Sequence, residues 1–163
     1  MRQGCVHAAT AVTAVPAPLD VCEACVEIGG QWVHLRQCLT CGRTLCCDNS
    51  PNRHMSRHAR EAGHPVMRGA GPGEAWTWCF EDDAMIREAD GRWETYDPFM
   101  ETGVIVARQA VAAGRSLDVA EDHVTPQGFP LGDWVAYVRG AHADGSLIED
   151  DAALVEAIPG WTW

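Results

Sequence analysis

Cys22 and Cys25, and again Cys38 and Cys41, are thiol pairs with two residues between them. That interval lets both sulfurs reach one tetrahedral ion at about 2.3 Å each, the spacing of a zinc knuckle. One such pair reads equally as a redox dithiol, whereas two pairs close together in the chain favour metal. Histidines follow. His54 and His58 lie four residues apart and share a face if the segment is helical. The segment has the punctuation of a helix: Ser50 as cap, Pro51 at the first position, and Gly63 before His64 and Pro65 as the stop. Two CxxC pairs already supply enough ligands to close one four-ligand site, and the histidines supply more.

Composition bounds the alternatives. The chain has 163 residues, 47% of them hydrophobic, with eight cysteines and seven histidines. Many cysteines mean disulfides in an oxidising compartment or metal ligands in a reducing one. The first residues decide for metal. The mildly apolar stretch from Ala8 to Leu19 is interrupted by Pro16 and Pro18 and does not read as a secretory peptide. No run approaches the ~20 apolar residues of a membrane span. The expected location is therefore cytoplasmic. A formal charge of −11 disfavours general attraction to nucleic acid or anionic lipid.

All eight cysteines precede residue 80, and the charge is uneven. Residues 1–89 carry 8 basic and 10 acidic side chains, against 4 and 13 in residues 90–163. This places a boundary near Glu88–Gly91, with one domain over 1–88 and a second over 93–163. High alanine, glycine and arginine content with no lysine points to a bacterial source.

Cys5-x-His7, the two CxxC pairs, Cys46-Cys47-Asp48, His54-x-x-x-His58, His64-Pro65 and Trp76-Thr77-Trp78-Cys79 follow in order. Together they resemble the zinc finger of ubiquitin-specific proteases (the UBP type), specifically its bacterial stand-alone branch. The resemblance implies three interleaved zinc sites. One takes Cys22, Cys25, Cys46 and His54; a second takes Cys38, Cys41, His58 and His64. A third joins Cys5, His7 and Cys79 to Asp82, which stands where the family has another cysteine. A carboxylate ligates zinc at about 2.0–2.2 Å, so Asp82 is chemically acceptable. Cys47 is left over, and replaces Cys46 if the register slips by one. Closed four-ligand sites are structural and not hydrolytic. The expected fold class is α+β: a small zinc-stabilised sheet with one helix, then a three-helix all-α module.

Eukaryotic members of that family resemble sockets for a free ubiquitin tail, with an arginine gripping its carboxylate. Here Asp48 occupies the arginine's place, and two carboxylates repel. Ubiquitin itself is thus a poor partner, and the expectation becomes a peptide or protein tail held at Trp78 and Phe80, with core packing as the other reading of these rings. Every cysteine that could form a protease dyad is better used on zinc, so no catalysis is expected. A redox-responsive finger remains an alternative.

In the second half, Asp97-Pro98 reads as a cap and first-turn proline opening a helix to Gly114, with Met100, Val104, Ala107 and Val111 on one face. A second helix is expected from Leu131 to Gly145, burying Trp134, Val135 and Val138. A third begins near Asp150 or Asp151, with Leu154 and Ile158 inward. The string from Gly128 to Val135, with Arg139 and the terminal Trp161 and Trp163, resembles the helicase-associated domain. That resemblance implies an adaptor near nucleic acid or a helicase partner. No phosphate-binding loop is present, and the strongly acidic balance argues against nucleic acid as a direct ligand.

Overall fold

Asp90 and Gly91 both adopt positive φ, 51° and 73°. An Asp-Gly pair suits such a turn, because it joins antiparallel strands whose twist needs left-handed backbone at both central residues. Around it close β5 (Ala84–Ala89) and β6 (Arg92–Tyr96). The boundary suggested by composition therefore falls inside a hairpin. In the computed structural model, which describes residues 3–163, the two compact units are Gln3–Tyr96 and Asp97–Trp163. Met1 and Arg2, the first residues of the expected domain, lie outside the described residues.

The first unit also contains β1 (Leu35–Cys38), β2 (Thr44–Cys46), β3 (Val66–Gly69) and β4 (Thr77–Cys79). Among the described residues these form one antiparallel sheet in the order β2-β1-β3-β4-β5-β6. Trp32 and Val33 precede β1. Side chains alternate across a strand, so each face of the sheet receives its own set. Val66, Cys79 and Ile86 pack with Cys5, Ala8 and Leu39. Leu45, Met55 and four cysteines form a separate cluster, with Met67 and Phe80 against it.

Gln37 shows how the short strands are tied together. It is fully buried, and its amide donates to the carbonyls of Pro16 (2.8 Å) and Gly42 (3.1 Å). Its oxygen accepts from the Arg68 guanidinium. Every polar atom of the side chain is used, as a buried amide requires.

The finger contains three helices where one was expected: α1 (Val6–Ala11), α2 (Glu23–Ile28) and α3 (His54–Ala62). The first two have six residues each, too short to show a hydrophobic period. Helix α3 starts later than Ser50-Pro51 suggests. Ser50 Oγ accepts instead from the Val33 amide at 3.0 Å, and Arg53 caps the helix in left-handed conformation. Gly63 ends it with φ 66°.

The second unit contains α4 (Pro98–Ala112), α5 (Leu131–Ala143) and α6 (Glu149–Glu156). Asp97 caps α4 by accepting from the Phe99 amide, with Pro98 at the first position. Its core gathers Met100, Val104, Ala107, Trp134, Val138 and Ile158. On α6 the residue buried beside Ile158 is Val155, with Leu154 only half-buried. Trp163 is exposed and stacks on His142 with ring centroids 3.9 Å apart. Among the described residues no helix is long and apolar enough to cross a membrane.

Candidate metal centre

Helix α2 begins at Cys22 as its cap and carries Cys25 one turn later; β2 ends on Cys46, and α3 begins with His54. These four donors converge. His54 Nδ1 lies 3.5 Å from Cys22 Sγ, 3.4 Å from Cys25 Sγ and 3.5 Å from Cys46 Sγ, and the last two sulfurs are 3.9 Å apart. Donors set around a tetrahedral zinc would lie ~3.8 Å apart for two sulfurs and ~3.5 Å for sulfur and nitrogen. A disulfide needs sulfurs at about 2.05 Å, and all eight cysteines are unpaired.

A second group brings Cys38, at the end of β1, and Cys41, in the following turn, to His58 and His64. Cys41 Sγ is 3.3 Å from His58 Nε2, Cys38 Sγ is 3.7 Å from His64 Nδ1, and the two ring nitrogens are 3.1 Å apart. His54 and His58 share one face of α3, yet they serve neighbouring clusters. Gly63, by reversing the chain, returns His64 to the site.

The third group joins distant parts of the first unit: Cys5 and His7 at the start of α1, Cys79 at the end of β4, and Asp82 in the turn after it. His7 Nδ1 is 3.7 Å from Cys79 Sγ and 3.1 Å from Asp82 Oδ1. In each of the three groups all four donor atoms lie within 4.8 Å of one another. The twelve residues singled out by sequence are thus brought together in three sets. Cys46 is in the first set; Cys47 is outside all three, with its sulfur 3.9 Å from His34 Nδ1 and 3.5 Å from Ser50 Oγ.

The donors also suit a cation chemically. Burial pushes Cys5 and Cys22 up to about 12, helped at Cys5 by the Asp82 carboxylate and Cys79 and at Cys22 by the thiols of Cys25 and Cys46. A divalent ion supplies the positive charge that lets such thiols ionise. Burial lowers His54 and His58, favouring the neutral imidazole that metal ligation requires. Burial alone would raise Asp82, but hydrogen bonds from Cys5, His7 and Cys79 outweigh it and hold the carboxyl below its ordinary range. The other oxygen of Asp82, Oδ2, is buried with no hydrogen-bond partner among the described residues. Such an atom is costly unless something positive satisfies it. These three clusters could hold zinc ions.

Substituting Asp82 tests the third cluster directly. Native mass spectrometry of the wild type is expected to show three zinc ions per chain and Asp82→Ala two. Equal counts in both proteins would remove Asp82 from the ligand set.

A concave pocket lies beside the clusters, with a volume of about 390 Å³. Sheet register explains its wall. Met67, Trp78 and Met85 face one another across β3, β4 and β5, and Phe80 follows two residues along from Trp78. Trp76 completes the aromatic side. Gly69 lets it approach, since a Cβ there would come within 3.0 Å of Trp76 Nε1 and 2.6 Å of Glu74 Cβ. Trp78 and Phe80 both line this pocket, as do Arg36, Met67 and Asp83, which carried no signal in the sequence.

The chain is similar to a protein of Rhodopseudomonas palustris known from its solution NMR structure. The two are 43% identical over 60% of this chain and 95% of that one, with a TM-score of 0.47. No curated protein matches the chain. Residues 22–90 match the family described as the Zn-finger in ubiquitin-hydrolases and other proteins. The family match over residues 22–90 and the gathering of cysteines and histidines into four-donor groups together support a zinc finger of this type.

Proposed function

We propose that the protein is a non-catalytic interaction module whose zinc ions are structural and whose aromatic pocket holds a peptide or protein tail. The observation that carries this reading is the pocket walled by Trp76, Trp78, Phe80 and Met85, set beside donor groups that each offer four protein ligands. Four donors leave no position for a metal-bound water, which hydrolysis would need. A concave, largely apolar site with a few polar groups is the usual form of a ligand pocket. The volume suits one or two residues of a peptide, not a folded surface.

Two companion readings support this one. Eight unpaired thiols fit a reducing, cytoplasmic setting. For residues 97–163 we retain a helicase-associated-like module that contacts a partner protein. The excess of carboxylates in that half supports this over direct contact with nucleic acid.

The test is a peptide array presenting free N-termini, free C-termini and internal segments to the zinc-loaded protein, repeated with Trp78→Ala. Truncating an aromatic anchor at a contact centre commonly costs about 2 kcal/mol or more, so binding is expected to fall at least about thirtyfold with zinc content unchanged. Peptides bound equally well by the variant would move the contact away from this pocket.

A further inference from the structure

We infer that the aromatic pocket selects a cation, the ammonium or guanidinium group of a lysine or arginine on a basic peptide, and disfavours a terminal carboxylate. This rests on the peptide-binding reading and specifies its ligand.

The charges of the lining carry the argument. Asp48 and Asp83 both border the pocket and are exposed, and among the described residues neither has an ion-pair or hydrogen-bond partner. Asp83 is held in the turn between β4 and β5 with φ 49°. Arg36 is the one cationic side chain among the described lining residues, and it is already engaged. Its Nη1 donates to both carboxylate oxygens of Glu74, at 3.2 and 3.1 Å, and to the carbonyl of Leu35 at 2.7 Å. Its guanidinium also lies 4.6 Å from the centre of the Trp76 ring. Glu74 is fixed in turn by the Gly71 amide at 2.8 Å. To receive an incoming carboxylate, Arg36 would have to leave a pair that is mostly buried.

The lining therefore combines two uncompensated carboxylates with tryptophan, phenylalanine and methionine side chains. A cation gains from both features: the carboxylates attract it, and the electron-rich faces of Trp78 and Phe80 attract it independently. A carboxylate meets repulsion from Asp48 and Asp83 and little donor capacity. The overall charge of −11 steers cationic ligands toward the protein and makes their association sensitive to salt.

The experiment uses the zinc-loaded full chain and three probes in calorimetric titration. The first is an N-acetylated, C-amidated peptide with one central lysine or arginine among glycine and serine; the second has glutamine there. The third is a neutral peptide ending in a free Gly-Gly carboxylate. The basic peptide is expected to bind at least tenfold more tightly than the other two. Asp48→Asn with Asp83→Asn is expected to remove most of that advantage while the zinc count stays the same. Tighter binding of the Gly-Gly carboxylate, lost in Trp78→Ala, would overturn cation selection and leave the peptide-binding reading standing. Basic-peptide binding insensitive to Trp78→Ala and to both aspartate substitutions would place it elsewhere and overturn the inference. Failure of all three probes to bind would overturn both readings.

Discussion

Stripping the metal with a high-affinity chelator is expected to unfold residues 3–96 while the helical signal of residues 97–163 persists. The sheet of the first unit is built from strands of three to six residues, and two of its helices have six residues. Such pieces are not stable in isolation. Much of what they pack around is proposed ligand: Cys22, Cys25, Cys38 and Cys46 are all fully buried and sit with Leu45 and Met55 in one cluster. Structural zinc contributes on the order of 10–16 kcal/mol in small zinc domains, as much as the whole stability of an ordinary fold. Amide NMR dispersion for residues 3–96 should collapse on chelation and return on adding zinc. Cys25→Ser should act in the same direction, since it removes one of the fully buried donors of the first cluster. A chelated protein that kept its dispersed sheet resonances would show that apolar packing alone holds the finger.

The second large effect is expected in the other unit, at Trp134. This side chain is fully buried, its indole N–H donates to the carbonyl of Met100 at 3.2 Å, and its ring meets Trp161 edge-on with centroids 5.8 Å apart. It lies where α4 offers only a glycine: a Cβ on Gly103 would collide with the indole ring. Trp134→Ala should destabilise this unit by about 3–5 kcal/mol, through lost burial and the cavity left behind. The reciprocal change, Gly103→Ala, forces the helices apart and should cost about 1–3 kcal/mol. Because both act at one contact, the double variant should lose less than the two single losses added together. Urea denaturation followed by near-ultraviolet circular dichroism would check all three, and strict additivity would mean that Gly103 does not matter through Trp134.

The contrast between what the sequence revealed and what it hid follows from the physics of each element. The candidate ligands in the CxxC pairs are legible because their spacing answers to one local requirement, two donors reaching one ion, whereas the His54–His58 interval stands out only as a shared helix face, its two rings joining different groups. The capped start of α4 is legible for a similar reason: Asp97 and Pro98 act on adjacent residues. The β5–β6 hairpin was hidden by a competing signal. Charge shifts at the same place as the Asp90-Gly91 turn, and the shift was read as a domain edge although Asp-Gly between two extended runs is itself a hairpin signature. Helices α1 and α2 hold too few residues to show a period, and Cys5 and Cys22 cap them. The charge state of the pocket was legible only in half. Asp48 could be noticed by its neighbours in the chain, but the pairing of Arg36 with Glu74 spans 38 positions and exists only once β1 and the loop before β4 meet.

The interleaving of the donor groups also sets an order in time. A ribosome delivers the chain from its first residue, and domains form as their last parts emerge. If the three clusters bind zinc as proposed, the first is complete only when His54 has been made, the second at His64, and the third at Asp82. Cys5 and His7, the earliest donors synthesised, therefore wait longest for their partners. During that interval they are bare ligands on a nascent chain, open to oxidation or to a mismatched metal. The strand that supplies the next donor of that set, β4 with its terminal Cys79, is also the strand that carries Trp78, and Asp82 follows in the turn after it. The pocket and the last metal site would thus be finished together, so a chain able to bind its tail is one that has finished loading its metal.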